Sequence, residues 1–303
     1  MFLNELLEEY LYEIETKSFS KRSITGYKNN NLLFFNFLKG EFGITEIEEV
    51  KTIHIKKYLN FKQKNGLSAS YVNTILKNLR SFFRYCEEEG YIKENPTLKA
   101  KWSKEPKVII KTFSNEEVVR LLDVYKFTTY LNSRNKMIIA MLIDTGVRNT
   151  ELCNILKSNI NDRYIIVQGK GNKERQVSIS PLLKKYMIRF DRIREQYFKD
   201  KNIQNDNYLL SNTGKALTKE QIERVVKEAG RRANVSENIR CSPHTLRHWY
   251  SQQQLRNGLD VYSLSRLLGH ETILITKRYL QSIQDEDIVD LSIKTSPLSN
   301  LKR

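Results

Sequence analysis

The stretch Ser242-Pro243-His244-Thr245-Leu246-Arg247-His248 opens a helix and sets a histidine beside an arginine within seven residues. Serine before proline is a helix start: the hydroxyl takes up a backbone N–H that has no partner in the first turn, and proline has none to satisfy. Gly258 fits the stop of the same helix. His244 and Arg247, three residues apart, lie on one face, while Leu246 points elsewhere and anchors the helix in a core. A partly buried histidine beside an arginine is also an ordinary structural pairing. A zinc reading of His244 with His248 requires glutamate directly after the first histidine, and Thr245 occupies that place.

On either side of this helix lie four more positions of the same chemistry. Thr145-Gly146-Val147-Arg148 places an arginine just past a helix stop, with Glu151 three residues on to hold its guanidinium fork toward a phosphate. The bland alternative is a helix cap followed by a surface ion pair. Lys170 stands at a hairpin tip between Gly169 and Gly171, where it can enter a groove and protonate a leaving oxygen, or be an exposed basic turn. Leu267-Leu268-Gly269-His270 and Lys277-Arg278-Tyr279-Leu280 complete the series. A phenol with a pKa of about 10 is a weak nucleophile until cations lower the cost of its phenolate. Two arginines and a histidine around one phosphorus supply that, and also neutralise the equatorial oxygens of a phosphoryl-transfer transition state.

Composition agrees with a polyanionic partner. The 303 residues carry a formal net charge of +16 and a pI near 9.6, which points first to nucleic acid. An acidic membrane surface is the other candidate, but no apolar run approaches the ~18 residues that span a bilayer. The acidic, helix-like start, Met1 to Glu15, lacks the basic region and cleavage site of a signal peptide. Cys86, Cys153 and Cys241 are odd in number and widely spaced, and read as reduced packing residues of a cytoplasmic protein. Metal-dependent nucleases need several carboxylates converging on two ions. Acidic residues such as Asp285-Glu286-Asp287 have no partner motif, so neither metal nor cofactor is expected. Gly169-Lys170-Gly171 lacks the rest of a P-loop.

The predicted fold is mainly α with a small antiparallel β-sheet, on a chain long enough for two domains. Residues 1–93 read as about four helices: Phe2 to Ile14, Ile24 to Leu38 with Phe34, Phe35 and Phe37 on one face, Thr52 to Lys64, and Ser68 to Gly90. The last carries an apolar stripe of Val72, Ile75, Leu76, Leu79, Phe82, Phe83 and Cys86, with Lys77, Arg80 and Arg84 opposite. Residues 94–112, broken by Pro96 and Pro106 and carrying Lys99, Lys101, Lys104, Lys107 and Lys111, read as a basic linker. Residues 113–303 open with a capping box at Ser114 to Glu117, contain a hairpin from Arg163 to Val167 and Gln176 to Ile179, and have a second capping box at Thr218 to Gln221. The helix after the second box carries Arg224, Lys227 and Arg231. These three, the lysines at 99, 101, 104 and 107, and Lys77, Arg80 and Arg84 are the DNA-contact candidates; the plain alternative is a solvated basic face.

Taken in order, Thr-Gly-Val-Arg148, Gly-Lys170-Gly-Asn-Lys-Glu-Arg, Pro-His244-Thr-Leu-Arg247-His, Leu-Gly-His270 and Tyr279 resemble the tyrosine recombinases, or phage integrase family, over nearly the whole chain. The hairpin and length look most like the Xer-type and short integrase branch. The resemblance implies a helical core-binding domain and a catalytic domain closing as a C-shaped clamp on double-stranded DNA. Strands are then cut and rejoined through a 3′-phosphotyrosyl intermediate without metal. Arg148 and Arg247 would clamp the scissile phosphate. His244 and His270 would assist charge and proton handling, Lys170 would be the general acid, and Tyr279 the nucleophile, with Glu151 and His248 in support. It further implies a homotetramer on two recombination sites (monomer or dimer when free), an accessory or directionality factor, and a segment at Asp287 to Ile293 docking on a neighbouring protomer. No separate arm-binding domain is expected before Phe2.

Trp249-Tyr250-Ser251-Gln252-Gln253 departs from the small residues and Thr-His pair of the Xer pattern, which favours a mobile element over Xer-type chromosome or plasmid dimer resolution. A DNA-binding protein without cleavage and a type IB topoisomerase are the competing readings.

Overall fold

The computed structural model describes residues 1–106, 111–169, 173–280 and 285–294; for Arg278, Asp285–Asp287, Asp290 and Leu291 it describes the backbone alone. The expected general acid Lys170 and the candidate Lys107 lie outside the described residues. The chain divides into two compact units, 1–107 and 108–303.

The first unit is a bundle of α1 (Leu3–Thr16), α2 (Lys21–Phe42), α3 (Thr52–Lys64) and α4 (Ala69–Glu88). Ser20 and Ser68 cap α2 and α4 by accepting the N–H groups of Ser23 and Tyr71. Gly43, in the left-handed region, ends α2. The whole predicted stripe of α4 is buried, and it meets rings from α2: Phe82 lies 5.4 Å from Phe35, and Phe83 lies 6.3 Å from Phe34. Aromatic pairs at these spacings add to the apolar area they remove from water.

Beyond α4 the chain stays attached to the first unit. Ala100 is buried in its core, and Asn73 brackets Ser103 by donating to its carbonyl at 2.9 Å and accepting its N–H at 2.8 Å. Arg80 donates to the Ala100 carbonyl at 2.6 Å and lies over the Trp102 ring. The segment expected as a connector is thus pinned to α4 over 95–105, with Lys99, Lys101 and Lys104 exposed along it.

The second unit contains α5 (Asn115–Asp123), α6 (Tyr130–Thr145), α7 (Asn149–Cys153), the antiparallel strands β1 (Tyr164–Gln168) and β2 (Glu174–Ser178), and α8 (Pro181–Phe198). It continues with α9 (Lys219–Arg232), α10 (Pro243–Arg256), α11 (Val261–Leu268), α12 (Ile273–Leu280) and α13 (Asp285–Lys294). The second half of α6 is apolar on every side and forms the core, with Met137 to Leu142 all buried against α8, α9, α10 and β2. Its stop, Gly146, has φ +60°, and a Cβ there would fall inside the Tyr250 ring, so only glycine fits. Both predicted capping boxes form. Strand β2 begins at Glu174, two residues before the predicted start, paired with Gln168.

Helix α8 was not foreseen, although Ser180-Pro181 repeats the start signal of Ser242-Pro243 and caps it in the same way. The cysteines are all free: Cys86 and Cys153 are buried, and Cys241 packs so closely on Gly230 of α9 that no Cβ would fit between them.

Candidate functional site

Local structure places each member of the site. Arg148 is the residue before α7, so Glu151, one turn in, reaches back to it. One carboxylate oxygen accepts the Arg148 backbone N–H at 2.7 Å and the other its Nη1 at 2.7 Å. Arg247 comes from the start of the second turn of α10, a helix that Ser242 caps by accepting the Thr245 N–H. Leu246 anchors that helix, fully buried in the core. His270 follows Gly269, the left-handed end of α11, and Tyr279 is on α12.

These elements converge on the peptide turn that ends α11. Arg148 Nη2 donates to the Gly269 carbonyl at 3.0 Å. Arg247 Nη2 donates to the Leu268 carbonyl at 2.7 Å, and Nη1 to the Gly146 carbonyl at 2.7 Å. Two residues a hundred positions apart in sequence thus grip one turn, with His270 against them. The Arg247 Nη2 to His270 Nε2 distance is 3.2 Å. An arginine only donates, so Nε2 accepts and the His270 proton sits on Nδ1, 2.8 Å from the Thr276 hydroxyl. The electrostatics agree: burial, then Arg247, Arg148 and Arg175, pull His270 down to about 4. Burial and Arg148 lower Arg247 to about 10, still charged at neutral pH.

Tyr279 is 3% exposed and packs with Tyr250, Leu255, Leu264 and Leu268. Its hydroxyl lies 3.2 Å from His248 Nδ1, directly beside Arg247 on α10, and its ring is near-parallel to that of His270 at 6.3 Å. His244 is exposed and meets the His248 ring edge-on at 4.1 Å. Burial at its ring, together with Arg247, Arg240 and Arg148, lowers the His244 pKa. Five of the six residues expected to do chemistry are therefore clustered, and the sixth, Lys170, is not described.

One member went unrecognised in the sequence. Arg175, on β2, forms a bidentate pair with Glu151 (2.8 and 2.7 Å) and donates from Nε to the Leu267 carbonyl at 2.6 Å. Burial alone would raise the Glu151 carboxyl, but the Arg175 and Arg148 bonds overcome it and hold it at about 2. The available signal was the position of Arg175 at the end of the Gly-Lys-Gly-Asn-Lys-Glu-Arg run.

Among the DNA-contact candidates, Lys77 and Arg84 are exposed on α4, while the Arg80 guanidinium is engaged by Ala100 and Trp102. Arg224, Lys227 and Arg231 are exposed on α9 and line a cleft of about 860 Å³ with Arg240 and Ser242, the cap of α10. Glu220, Glu223 and Glu237 lie in the same cleft, and Arg231 is paired with Glu228 at 2.7 Å.

Comparison with known proteins gives the same placement. Residues 111–286 match the model of the phage integrase family, and residues 7–90 that of the phage integrase N-terminal SAM-like domain. The tyrosine recombinase XerC of Oceanobacillus iheyensis is 30% identical over 298 residues, covering 96% of this chain and 95% of XerC. The fold is shared with the Tn1549 transposon integrase solved with transposon right end DNA (TM-score 0.73, 18% identity, 98% of this chain and 100% of that one). It is also shared with a lambda integrase tetramer bound to a Holliday junction (TM-score 0.70, 17% identity, 92% and 77%). By its family match over both units and its full-length likeness to XerC, the chain belongs to the tyrosine recombinases of the phage integrase family.

Proposed function

We propose that this chain cuts and rejoins DNA at specific sites, with Tyr279 as nucleophile and Arg148, Arg247 and His270 as the phosphate clamp. The observation that carries this reading is the convergence of both guanidinium groups and His270 on the turn Leu268–His270, with the Tyr279 hydroxyl held one residue from Arg247. In the reaction the Tyr279 phenol gives its proton to the neighbouring His248 Nδ1, 3.2 Å away, and its oxygen forms a bond to phosphorus while the bond to the 5′ oxygen breaks. The strand is left as a 3′-phosphotyrosine, and the 5′ oxygen leaves as a hydroxyl with a proton from Lys170. Religation reverses the step without further energy input, because a phosphodiester is exchanged for a phosphodiester. Arginines beside a phosphoryl centre need no reorganisation as charge builds, and a single such donor typically contributes about 3 kcal/mol. His270 is neutral in the free protein with Nε2 accepting. A phosphate beside it favours a proton on that nitrogen, which turns it into a donor.

Affinity comes from basic residues on both units: Lys77 and Arg84, the lysines at 99, 101 and 104, and Arg224, Lys227 and Arg231. It falls steeply with salt. The active assembly is a tetramer on two sites, open to an accessory or directionality factor. Helix α13, with Ile288, Val289 and Ile293 exposed, is the segment that docks on a neighbouring protomer. Among the described residues no helix is long and apolar enough to cross a membrane. The proposed place of action is the cytoplasm, on DNA.

Trp249 to Gln253 favours a mobile-element recombinase. In that run Tyr250 packs on Gly146, and Gln252 accepts from the Thr112 hydroxyl at 2.9 Å. Xer-type dimer resolution is the second reading, favoured by the full-length likeness to XerC. A nicked suicide duplex tests the chemistry: a covalent adduct with the wild type and none with Tyr279→Phe supports it. Tight binding with no adduct makes the chain a non-cleaving DNA-binding protein instead, and site-independent relaxation of supercoils makes it a topoisomerase. Footprinting and cleavage mapping on the element that encodes the chain separate the two biological roles.

A further inference from the structure

We propose that Arg175 is a positioning residue that keeps the charge of Arg148 available to the scissile phosphate and fixes its direction, an inference that rests on the recombinase reading of the site. Glu151 is 4% exposed, and its two oxygens accept four charge-assisted bonds. Two come from Arg148 (2.7 Å each) and two from Arg175 (2.8 and 2.7 Å). A carboxylate facing Arg148 alone would orient its guanidinium but also cancel its charge, leaving little attraction for a phosphate. Shared between two guanidinium groups, the same carboxylate still orients Arg148, and the trio remains net positive.

Geometry extends the argument to the other half of the clamp. The Arg175 Nε donates to the Leu267 carbonyl at 2.6 Å. Its side chain runs so close under Gly269 that a Cβ there would sit 3.0 Å from Cδ. The turn carrying His270, which both clamp arginines grip, therefore rests on Arg175. All three of its nitrogens donate to the protein itself, so Arg175 acts through Glu151 and the turn and does not touch DNA. A lysine cannot substitute, because one ammonium cannot make the two-pronged bond and the third donation together.

The full-length chain is tested with Arg175→Ala on the nicked suicide duplex, reading DNA affinity and single-turnover adduct formation separately. Two substrates are used, one with an ordinary phosphodiester and one with an uncharged methylphosphonate at the cleavage position. The expected result is adduct formation slowed by about 10–100-fold on the phosphodiester, at or below the loss for removing a direct donor. Affinity should stay within about twofold, and the deficit should shrink markedly on the methylphosphonate, whose reacting centre carries one negative charge fewer. An unchanged rate overturns the proposal. So does an equal deficit on both substrates, which would mark Arg175 as a general scaffold residue. If the alanine variant does not fold, Arg175→Lys decides. It should slow adduct formation on the phosphodiester at unchanged affinity, and a wild-type rate there removes the need for the guanidinium fork. A wild-type protein that forms no Tyr279-dependent adduct sinks the recombinase reading itself, an outcome distinct from any of these.

Discussion

The two units of this protein bury polar groups in opposite ways. Among the described residues, the first unit hides only neutral ones, such as Asn30, Asn31, Asn78, Asn95 and Thr97, within an aromatic core. The second hides Glu117, Lys136, Glu151 and Arg247. Burying an ion costs several kcal/mol unless pairing and hydrogen bonds offset it. The charges at the site are offset by peptide carbonyls and by one another, and none of the carbonyls that receive Arg247 belongs to its own helix. The first unit is thus held mainly by apolar packing. The second holds a cationic centre in a fixed geometry, with Arg247 and Glu151 buried and Arg148 open to solvent, as a site that must admit a phosphate requires.

Replacing Glu151 by alanine breaks this arrangement most severely. It leaves Arg175 and the Arg148 backbone N–H without their acceptor and should lower stability by about 3–5 kcal/mol, as for removal of one partner of a buried ion pair. Phe82→Ala is the counterpart in the first unit, with a cost of about 3–5 kcal/mol from lost burial and the cavity left behind. The two tryptophans report separately, Trp102 in the first unit and Trp249 in the second, so denaturant unfolding followed through each locates the damage. Equal damage at both probes from either change would erase the distinction between the units.

Acidification sharpens the contrast next. The folded pKa of His270, about 4, lies below its ordinary value of 6.5, so the unfolded chain binds the extra proton. Stability is complete above pH 6.5 and should fall toward pH 4 by up to about 1.4 kcal/mol per pH unit. The contribution of Glu151 is present above pH 4.5 and lost as pH falls toward 2. Unfolding curves of wild type and His270→Gln at pH 7, 5.5 and 4.5 check this; parallel declines would show that His270 is not the group responsible. The smallest effect is at Lys77. Lys77→Ala should leave stability unchanged, weaken DNA binding alike across sequences, and reduce the salt slope by about one. A change in sequence preference instead would make Lys77 a reader of bases.

Much of this was legible in the residues. The α4 stripe, the caps at Ser68, Ser114, Thr218 and Ser242 and the stops at Gly146 and Gly258 are set by neighbours within one or two turns, and each is found in the structure. The order of Arg148, His244, Arg247, His270 and Tyr279 was readable for a different reason: the phosphate chemistry constrains the residue types. Helix α8 carries its own start signal in Ser180-Pro181, the same pair that opens α10 at Ser242-Pro243. Arg175 was missed because nothing local distinguishes a buried partner of Glu151 from one more arginine in a basic hairpin.

The amino-acid order by itself settled the helices, the hairpin, the basic character and the residue types of the site, because each depends on short-range periodicity or on composition. Only the tertiary structure decided that Glu151 is shared by two arginines, that His270 is neutral with its proton on Nδ1, and that 95–105 stays with the first unit. Those outcomes depend on burial and on the contacts Glu151–Arg175, Arg247–His270 and Asn73–Ser103, whose members lie 24, 23 and 30 positions apart. There the cost of removing charge from water selects the partners, and no window of sequence contains both members of such a pair.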